Sequence, residues 1–236
     1  MKSKSLFISI LASSLVVLSA SDTAPEAIAQ RAVLTPIWSS PDGLQLIAVP
    51  GREARPYCDQ LAALDMAIFK EWPYLYEGTL EGEAQYLENY FKSEKSLFLL
   101  LMRGDAIVGS ASFIPLEEEI DEIQSPFKVA GLPCNDYLYV GVVMILKEYR
   151  RPGLIRALYE HALEYAKSIG KRAGALAMIE RPADDSRRPA DDRPLDGMCQ
   201  AFGFEKQDGL EVHVEWTDIT THMPAPVVMK IWTKKL

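Results

Sequence analysis

Tyr137-Leu138-Tyr139-Val140-Gly141-Val142-Val143-Met144-Ile145-Leu146, followed by Lys147-Glu148-Tyr149-Arg150-Arg151-Pro152-Gly153 and then Leu154-Ile155-Arg156-Ala157-Leu158-Tyr159-Glu160-His161-Ala162-Leu163, is the stretch that decides how this chain folds. The first run is continuously apolar and reads as a buried strand. The second is a tight basic turn. The third opens an amphipathic helix whose apolar stripe, Leu154, Leu158, Ala162, Tyr165 and Ile169, ends at Gly170, a natural C-terminal cap. A strand that feeds a basic, glycine-containing turn into a helix leaves first-turn N–H groups without partners. The helix dipole adds positive potential there, so the turn suits a phosphate or pyrophosphate.

Arg150-x-x-Gly153-x-Ile155, behind the lead-in Ile145-Leu146-Lys147-Glu148-Tyr149, resembles the acyl-CoA pyrophosphate loop of the GNAT superfamily of N-acyltransferases. That loop reads Gln/Arg-x-x-Gly-x-Gly/Ala, and Ile155 stands at its last position in this chain. The resemblance implies an acyl-CoA in a splay beside the strand. Its thioester and pantetheine amides would pair with main chain at Val143, Met144 and Ile145. Its pyrophosphate would sit on Arg150, Arg151, Gly153, Leu154, Ile155 and Arg156. Gly141 within the strand marks either a bulge that opens the splay or a site of close packing.

Outward from this stretch the elements follow in order. Leu44 to Val49 reads as a strand. Arg55 to Trp72 and Leu80 to Phe91 carry apolar residues at helical spacing. Leu97 to Met102 and Ala106 to Ile114 are apolar runs joined by Arg103-Gly104-Asp105, a hairpin turn. Glu117-Glu118-Glu119 and Asp121-Glu122 begin an acidic stretch read as a solvated connection or as a surface facing a cationic amine. Ala173 to Ile179 is a further strand, Leu195 to Phe202 a short helix ending in Gly203-Phe204, and Leu210 to Thr217 with Val227 to Thr233 alternate like antiparallel strands. The expected fold is therefore α/β (α+β), with helices on both faces of a sheet. The same order of elements resembles the GNAT fold over residues 44–236, which implies a mixed, mostly antiparallel central sheet.

The chain has 236 residues, 48% of them hydrophobic, and a net charge of −8. That is ordinary globular composition, and the acidic balance with no basic stripe argues against a nucleic-acid partner. Lys2 and Lys4 precede an uncharged run to Ser21 and small residues through Ala29, the layout of a secretory signal peptide over residues 1–29. The run is short for a membrane span, so no stable membrane domain is expected after its removal. An export signal places the protein outside the cytoplasm. A mis-called start would leave it cytoplasmic. Residues 30–43, with Pro36, Pro41 and Gly43, read as a linker. Cys58, Cys134 and Cys199 form no disulfide framework and lack metal-ligand spacing with the scattered histidines, so no metal is expected.

N-acyl transfer needs a thioester held near an amine, a group to take the ammonium proton, and an acid for the leaving thiolate. The family often places a tyrosine four residues before the glycine of Gly-Phe, a position held here by Cys199, whose alternative reading is a buried inert thiol. The central strand has no carboxylate, only Tyr137 and Tyr139. Glu180 at the end of the next strand is the nearest alternative base. Arg-Pro-Ala-Asp-Asp occurs at residues 181–185 and again at 188–192. This loop resembles one found in an uncharacterised bacterial subgroup of the family, which implies that Asp184 and Asp185 bind the acceptor. A self-neutralising solvated loop is the other reading.

The resemblance thus implies an acetyl-CoA-dependent N-acetyltransferase acting on a small-molecule amine, as a monomer or homodimer. Ile155, Cys199 and the missing strand carboxylate point to the alternative, a non-catalytic acyl-CoA or ligand-binding domain on the same scaffold.

Overall fold

The protein's structure is a computed structural model that describes residues 35–182, 184–192 and 194–236. The segment read as an export signal lies outside them. Within the stretch read as a linker, β1 (Trp38–Ser39) already pairs antiparallel with β2 (Leu44–Pro50). Then come α1 (Gly51–Ala54), a 3-10 turn at Arg55–Tyr57, α2 (Cys58–Phe69), α3 (Leu80–Lys92), β3 (Leu97–Arg103) and β4 (Ala106–Pro115). The helix expected from Arg55 starts three residues later, because Pro56 has no N–H to donate and the chain tightens to 3-10 around it. After β4 lie α4 (Asp121–Val129), β5 (Tyr137–Ile145), α5 (Leu154–Ser168), β6 (Ala173–Ile179), α6 (Asp196–Ala201), β7 (Glu205–Asp218) and β8 (Met223–Lys235).

The acidic stretch after β4 is solvated only in part: Glu117, Glu118, Asp121 and Glu122 are exposed, but it is no plain connection. Glu119 is only 4% exposed, and α4 follows it at once with Ile123 and Phe127 turned into the core. Pro126 inside the helix and only two apolar residues four apart hide it from periodicity. The sheet has eight strands in the order β1-β2-β3-β4-β5-β6-β8-β7. All pairs are antiparallel except β5 with β6, which α5 joins in a crossover. The mixed, mostly antiparallel sheet follows the expectation.

Both faces are covered. Leu61 and Leu64 of α2, Tyr90 and Phe91 of α3, and Phe127 of α4 pack on one face with Phe98, Leu100 and Met144. Leu154, Leu158 and Ala166 of α5 pack on the other with Leu99, Leu138 and Ile145. A third cluster, Met178, Cys199, Phe204 and Trp232, joins α6 to β6 and β8 with Tyr159 of α5 against it. β3 is buried along nearly its whole length, which is why Leu97 to Met102 reads as unbroken hydrophobic sequence. Among the described residues no helix is long and apolar enough to cross a membrane.

Candidate active site

β5 and β6 are paired only from Tyr137↔Ala173 to Val140↔Leu176. Beyond that point Val142–Ile145 pair with β4 alone and Ala177–Ile179 with β8 alone, so the facing edges of the two strands diverge. The cause is Gly141. Ser112 of β4 pairs with Val142 and Phe113 with Val140, which leaves Gly141 as the extra residue of a β-bulge. Both sequence readings of Gly141 hold together. A Cβ there would lie 2.0 Å from the Tyr90 hydroxyl and 2.8 Å from Ser112 Oγ. The bulge exists because only glycine lets Tyr90 reach under the strand. Past it, Val143 is 44% exposed, while Met144 and Ile145 after it are buried.

The turn after β5 is a second feature. Gly153 sits at φ 84° as the N-cap of α5 and offers no side-chain cap. Nothing lies within 4 Å of where its Cβ would be. The Leu154 N–H turns back to the Arg151 carbonyl at 3.3 Å, which leaves the N–H groups of Ile155 and Arg156 as the first-turn donors at the positive end of the helix dipole. Ile155 does not stand in that space, because its side chain packs against the apolar layer beneath α5. The arginines are more engaged than the sequence suggests. Arg150 Nε donates to the Ile145 carbonyl at 3.0 Å, and Arg151 pairs with Asp42. Arg156 lies 4.0 Å from Glu160 one turn along the helix. Exposed strand edge, open helix terminus and basic turn together make an elongated cradle whose donors match the amides and phosphates of a CoA thioester.

The candidate proton-handling residues are dispersed around this cradle. Tyr139 is buried on the α2–α3 face of β5, and burial with the nearby Glu119 charge pushes its hydroxyl far above the ordinary range. Glu180 follows β6 at the diverging end and is held by Lys206 and, at 3.8 Å, by Lys230. Cys199 is buried in the third cluster with its thiol 3.5 Å from Met178 Sδ, and burial raises it to about 11.

The repeated loop is clamped. Arg187 binds Asp185 through both oxygens, at 2.9 and 2.6 Å, and reaches Asp218 at 2.9 Å. The Arg187 guanidinium holds the Asp185 carboxyl well below the usual range. In the second repeat Arg188 binds Asp192 at 3.0 Å. Arg181 donates to the carbonyls of Pro73 and Tyr74, at 2.8 and 2.7 Å, which ties the loop to the segment between α2 and α3. Asp184 alone of the first pair stays exposed. Arg187→Ala removes both clamps of the first repeat, so the Asp185 and Arg188 amide hydrogens should exchange with solvent about tenfold faster. Unchanged exchange would mean the ion pairs do not hold the loop.

Sequence reading missed the polar groups beneath the bulge. Tyr90 donates to Glu119 Oε1 at 2.7 Å and Tyr86 to the same oxygen at 3.1 Å, while the Ile120 N–H satisfies the other oxygen. Burial raises the Glu119 carboxyl, and these hydrogen bonds oppose the rise. The signal was present: Tyr86 and Tyr90 stand four apart on the apolar stripe of α3, and their hydroxyls need buried partners. Among the described residues no group of three or more His, Cys, Asp or Glu is arranged to hold a metal ion.

Comparison with known proteins gives the same picture. A sequence model of the acetyltransferase (GNAT) family matches residues 64–184. No curated protein matches the chain. Among solved structures, an acetyltransferase from Thermus thermophilus is 14% identical with a TM-score of 0.50, covering 86% of this chain and 100% of its own. A ribosomal-protein-alanine N-acetyltransferase from Brucella melitensis is 16% identical with a TM-score of 0.50, covering 77% and 96%. A putative acetyltransferase from Salmonella typhimurium, solved with its cofactor acetyl-CoA, is 11% identical with a TM-score of 0.51, covering 82% and 94%. At these identities the likeness is one of fold.

Proposed function

This chain belongs to the GNAT acetyltransferase family, and from that membership we propose that it transfers an acetyl group from acetyl-CoA to the amine of a small molecule. The observation that carries the reading is the divergence of β5 from β6 at the Gly141 bulge, next to an uncapped α5 terminus. The strand edge from Val143 to Ile145 would hold the pantetheine and thioester, and the turn from Arg150 to Arg156 the pyrophosphate. The two sites lie in sequence order along one path, as a CoA thioester requires.

In the reaction the neutral amine attacks the thioester carbonyl, the N–C bond forms, the C–S bond breaks and the CoA thiolate takes up a proton. The chain's part is to hold the carbonyl against strand N–H groups, to align the amine, and to accept the proton the ammonium must lose. Glu180, half exposed at the diverging end of β6, is one candidate for that proton. Tyr139 and Cys199 keep their own protons at neutral pH, because burial raises both, and they shape the floor beside the splay. The exposed Asp184 and the clamped Asp185 would border the acceptor's entry.

Isothermal calorimetry tests the reading. Wild type should bind acetyl-CoA, and Arg150→Glu with Arg151→Glu should weaken binding at least about tenfold, about 1.4 kcal/mol. Equal affinities would move the phosphates away from this turn.

A further inference from the structure

The open end of the gap between β5 and β6 is crossed by a strap. The two strands are parallel, so both end on the same side of the sheet. Lys147 lies two residues past β5 and Arg181 two residues past β6. Residues 71–77, between α2 and α3, reach both. On the β5 side Glu71 pairs with Lys147 at 3.0 Å. On the β6 side Arg181 donates from Nε to the Pro73 carbonyl at 2.8 Å and from Nη2 to the Tyr74 carbonyl at 2.7 Å. Farther along, the Ile219 N–H donates to the Leu75 carbonyl at 2.8 Å and the Glu77 N–H to the Thr217 carbonyl at 2.9 Å. The segment thus runs from the basic turn, past the end of the gap, to the end of β7.

Arg181 is itself carried on a pinned loop, because Arg187 reaches from the same loop to Asp218 at 2.9 Å. Asp218 is 4% exposed and also accepts the Thr220 N–H at 2.8 Å, so the anchor is firm. Aromatic side chains brace the strap. Tyr74 stands edge-on to Phe69 with ring centroids 4.4 Å apart, and Tyr76 edge-on to Trp216 at 5.6 Å. The strap's backbone is therefore committed. Its carbonyls at Pro73, Tyr74 and Leu75 and its N–H at Glu77 all have partners within the chain. A polypeptide ligand in an extended conformation is held largely by main-chain hydrogen bonds. With these groups taken, a ligand at this end has to be recognised through side chains.

We propose that the 71–77 strap restricts the acceptor to a small-molecule amine and keeps out a polypeptide, and that Arg181 is the positioning residue that holds it shut. This rests on the acetyl-CoA reading, which puts the thioester along Val143 to Ile145, next to Lys147 and the strap. Arg181 acts through the two strap carbonyls and touches no reacting atom. Its planar fork offers two N–H donors in fixed directions to successive carbonyls, a geometry that a lysine ammonium does not reproduce. Without it the strap keeps its ends, at Lys147 and at β7, and loses its middle. It then bows outward, and the Pro73 and Tyr74 carbonyls become free to accept the N–H groups of a peptide.

The test compares full-length wild type, Arg181→Ala and Arg181→Lys. Acetyl transfer from acetyl-CoA is measured to n-butylamine, to phenethylamine and to tetra-alanine amide with a free N-terminus. Wild type should acetylate at least one of the two small amines with kcat/KM at least about tenfold above that for the peptide. Arg181→Ala should raise kcat/KM for the peptide about fivefold and cut the ratio by that factor, with the KM for acetyl-CoA unchanged. Arg181→Lys should fall between the two. A purely structural Arg181 would lower both rates together and leave the ratio where it was. Hydrogen exchange reports on the strap whether or not an amine is acetylated: the Leu75 and Glu77 amides should exchange about tenfold faster in Arg181→Ala. A wild type that prefers the peptide, a ratio unmoved by Arg181→Ala, or unchanged exchange would overturn the proposal. Calorimetry with acetyl-CoA on the same samples separates the two readings. If acetyl-CoA binds and the ratio stays put, or no small amine is acetylated, the strap assignment fails alone. If acetyl-CoA does not bind, the assignment falls with the function.

Discussion

Gly141→Ala is expected to lower the melting temperature by about 5–10 °C and to weaken acetyl-CoA binding more than about tenfold. The methyl group would sit 2.0 Å from the Tyr90 hydroxyl and 3.0 Å from its Cζ. Tyr90 cannot retreat cheaply. It is fully buried, its hydroxyl is held at 2.7 Å by Glu119, and its ring stacks beside Phe98. Relief therefore has to come from β5, by flattening the bulge and closing the gap to β6 where the thioester is proposed to lie. Adding Tyr90→Phe to Gly141→Ala removes the closest clashing atom, so the double variant should recover part of the loss of the single one. Thermal melts of the four proteins in the cycle measure this. A Gly141→Ala protein that melts and binds like wild type would show that the bulge does not depend on the missing side chain.

The second large effect is on stability against pH. Asp65 holds a proton in the folded chain up to about pH 8, because burial and the neighbouring Glu83 charge both disfavour its ionised form. In the unfolded chain it titrates near its ordinary value of about 4. Between these two values the native state binds more protons than the unfolded state, so stability is full below the lower value and falls as pH rises toward the upper one. The slope for one proton is at most about 1.4 kcal/mol per pH unit. Wild type should thus lose about 5 °C in melting temperature between about pH 6 and pH 8. Asp65→Asn, which cannot ionise, should lose less than half as much. Parallel curves for the two proteins would mean that the pair shares no proton in this range.

The fold was legible because its elements announce themselves by period. β3 and β5 are continuous apolar runs, α3 and α5 carry clean stripes, and the turns hold glycine where φ is positive, as at Gly104 and Gly153. α4 was lost because Pro126 and a dense acidic start look like a connection, while its anchoring comes from Ile123 and Phe127 alone. The strand, basic turn and helix around Gly153 were legible for the same local reason as the fold, since they follow one another directly.

The buried polar cleft behind β5 was not legible, because it is assembled from distant segments. Asp65 comes from α2, Glu83 from α3, Ser110 from β4 and Val142 from β5, and only packing puts them in one cleft. A faint trace existed. Glu83 falls three and seven residues before Tyr86 and Tyr90, on the inward stripe of α3, where a carboxylate is costly unless it has a partner. The repeated Arg-Pro-Ala-Asp-Asp segment had two readings, an acceptor-binding loop and a self-neutralising one. Its carboxylates looked available to a ligand, but Asp185 and Asp192 serve neighbouring arginines.

β7 has a further consequence, one that concerns solubility. It is the outermost strand on its side of the sheet, and a long bare edge is a template on which another chain can add a strand. Each part of this edge is spoiled for that purpose in a different way. Near its C-terminal end the segment after α2 lies across it, with Tyr76 bridged to Asp218 and the Glu77 N–H on the Thr217 carbonyl at 2.9 Å. In the middle Glu211, His213 and Glu215 alternate along one side, so an incoming strand would meet a polar side chain at every second residue, two of the three charged. Toward its start the pairing with β8 breaks between Lys206 and Glu211, which bends the strand away from a flat register. The opposite edge is guarded by brevity, since β1 is two residues long. The segment that brings Tyr76 onto Glu83 thus also covers the C-terminal end of this edge against strand addition.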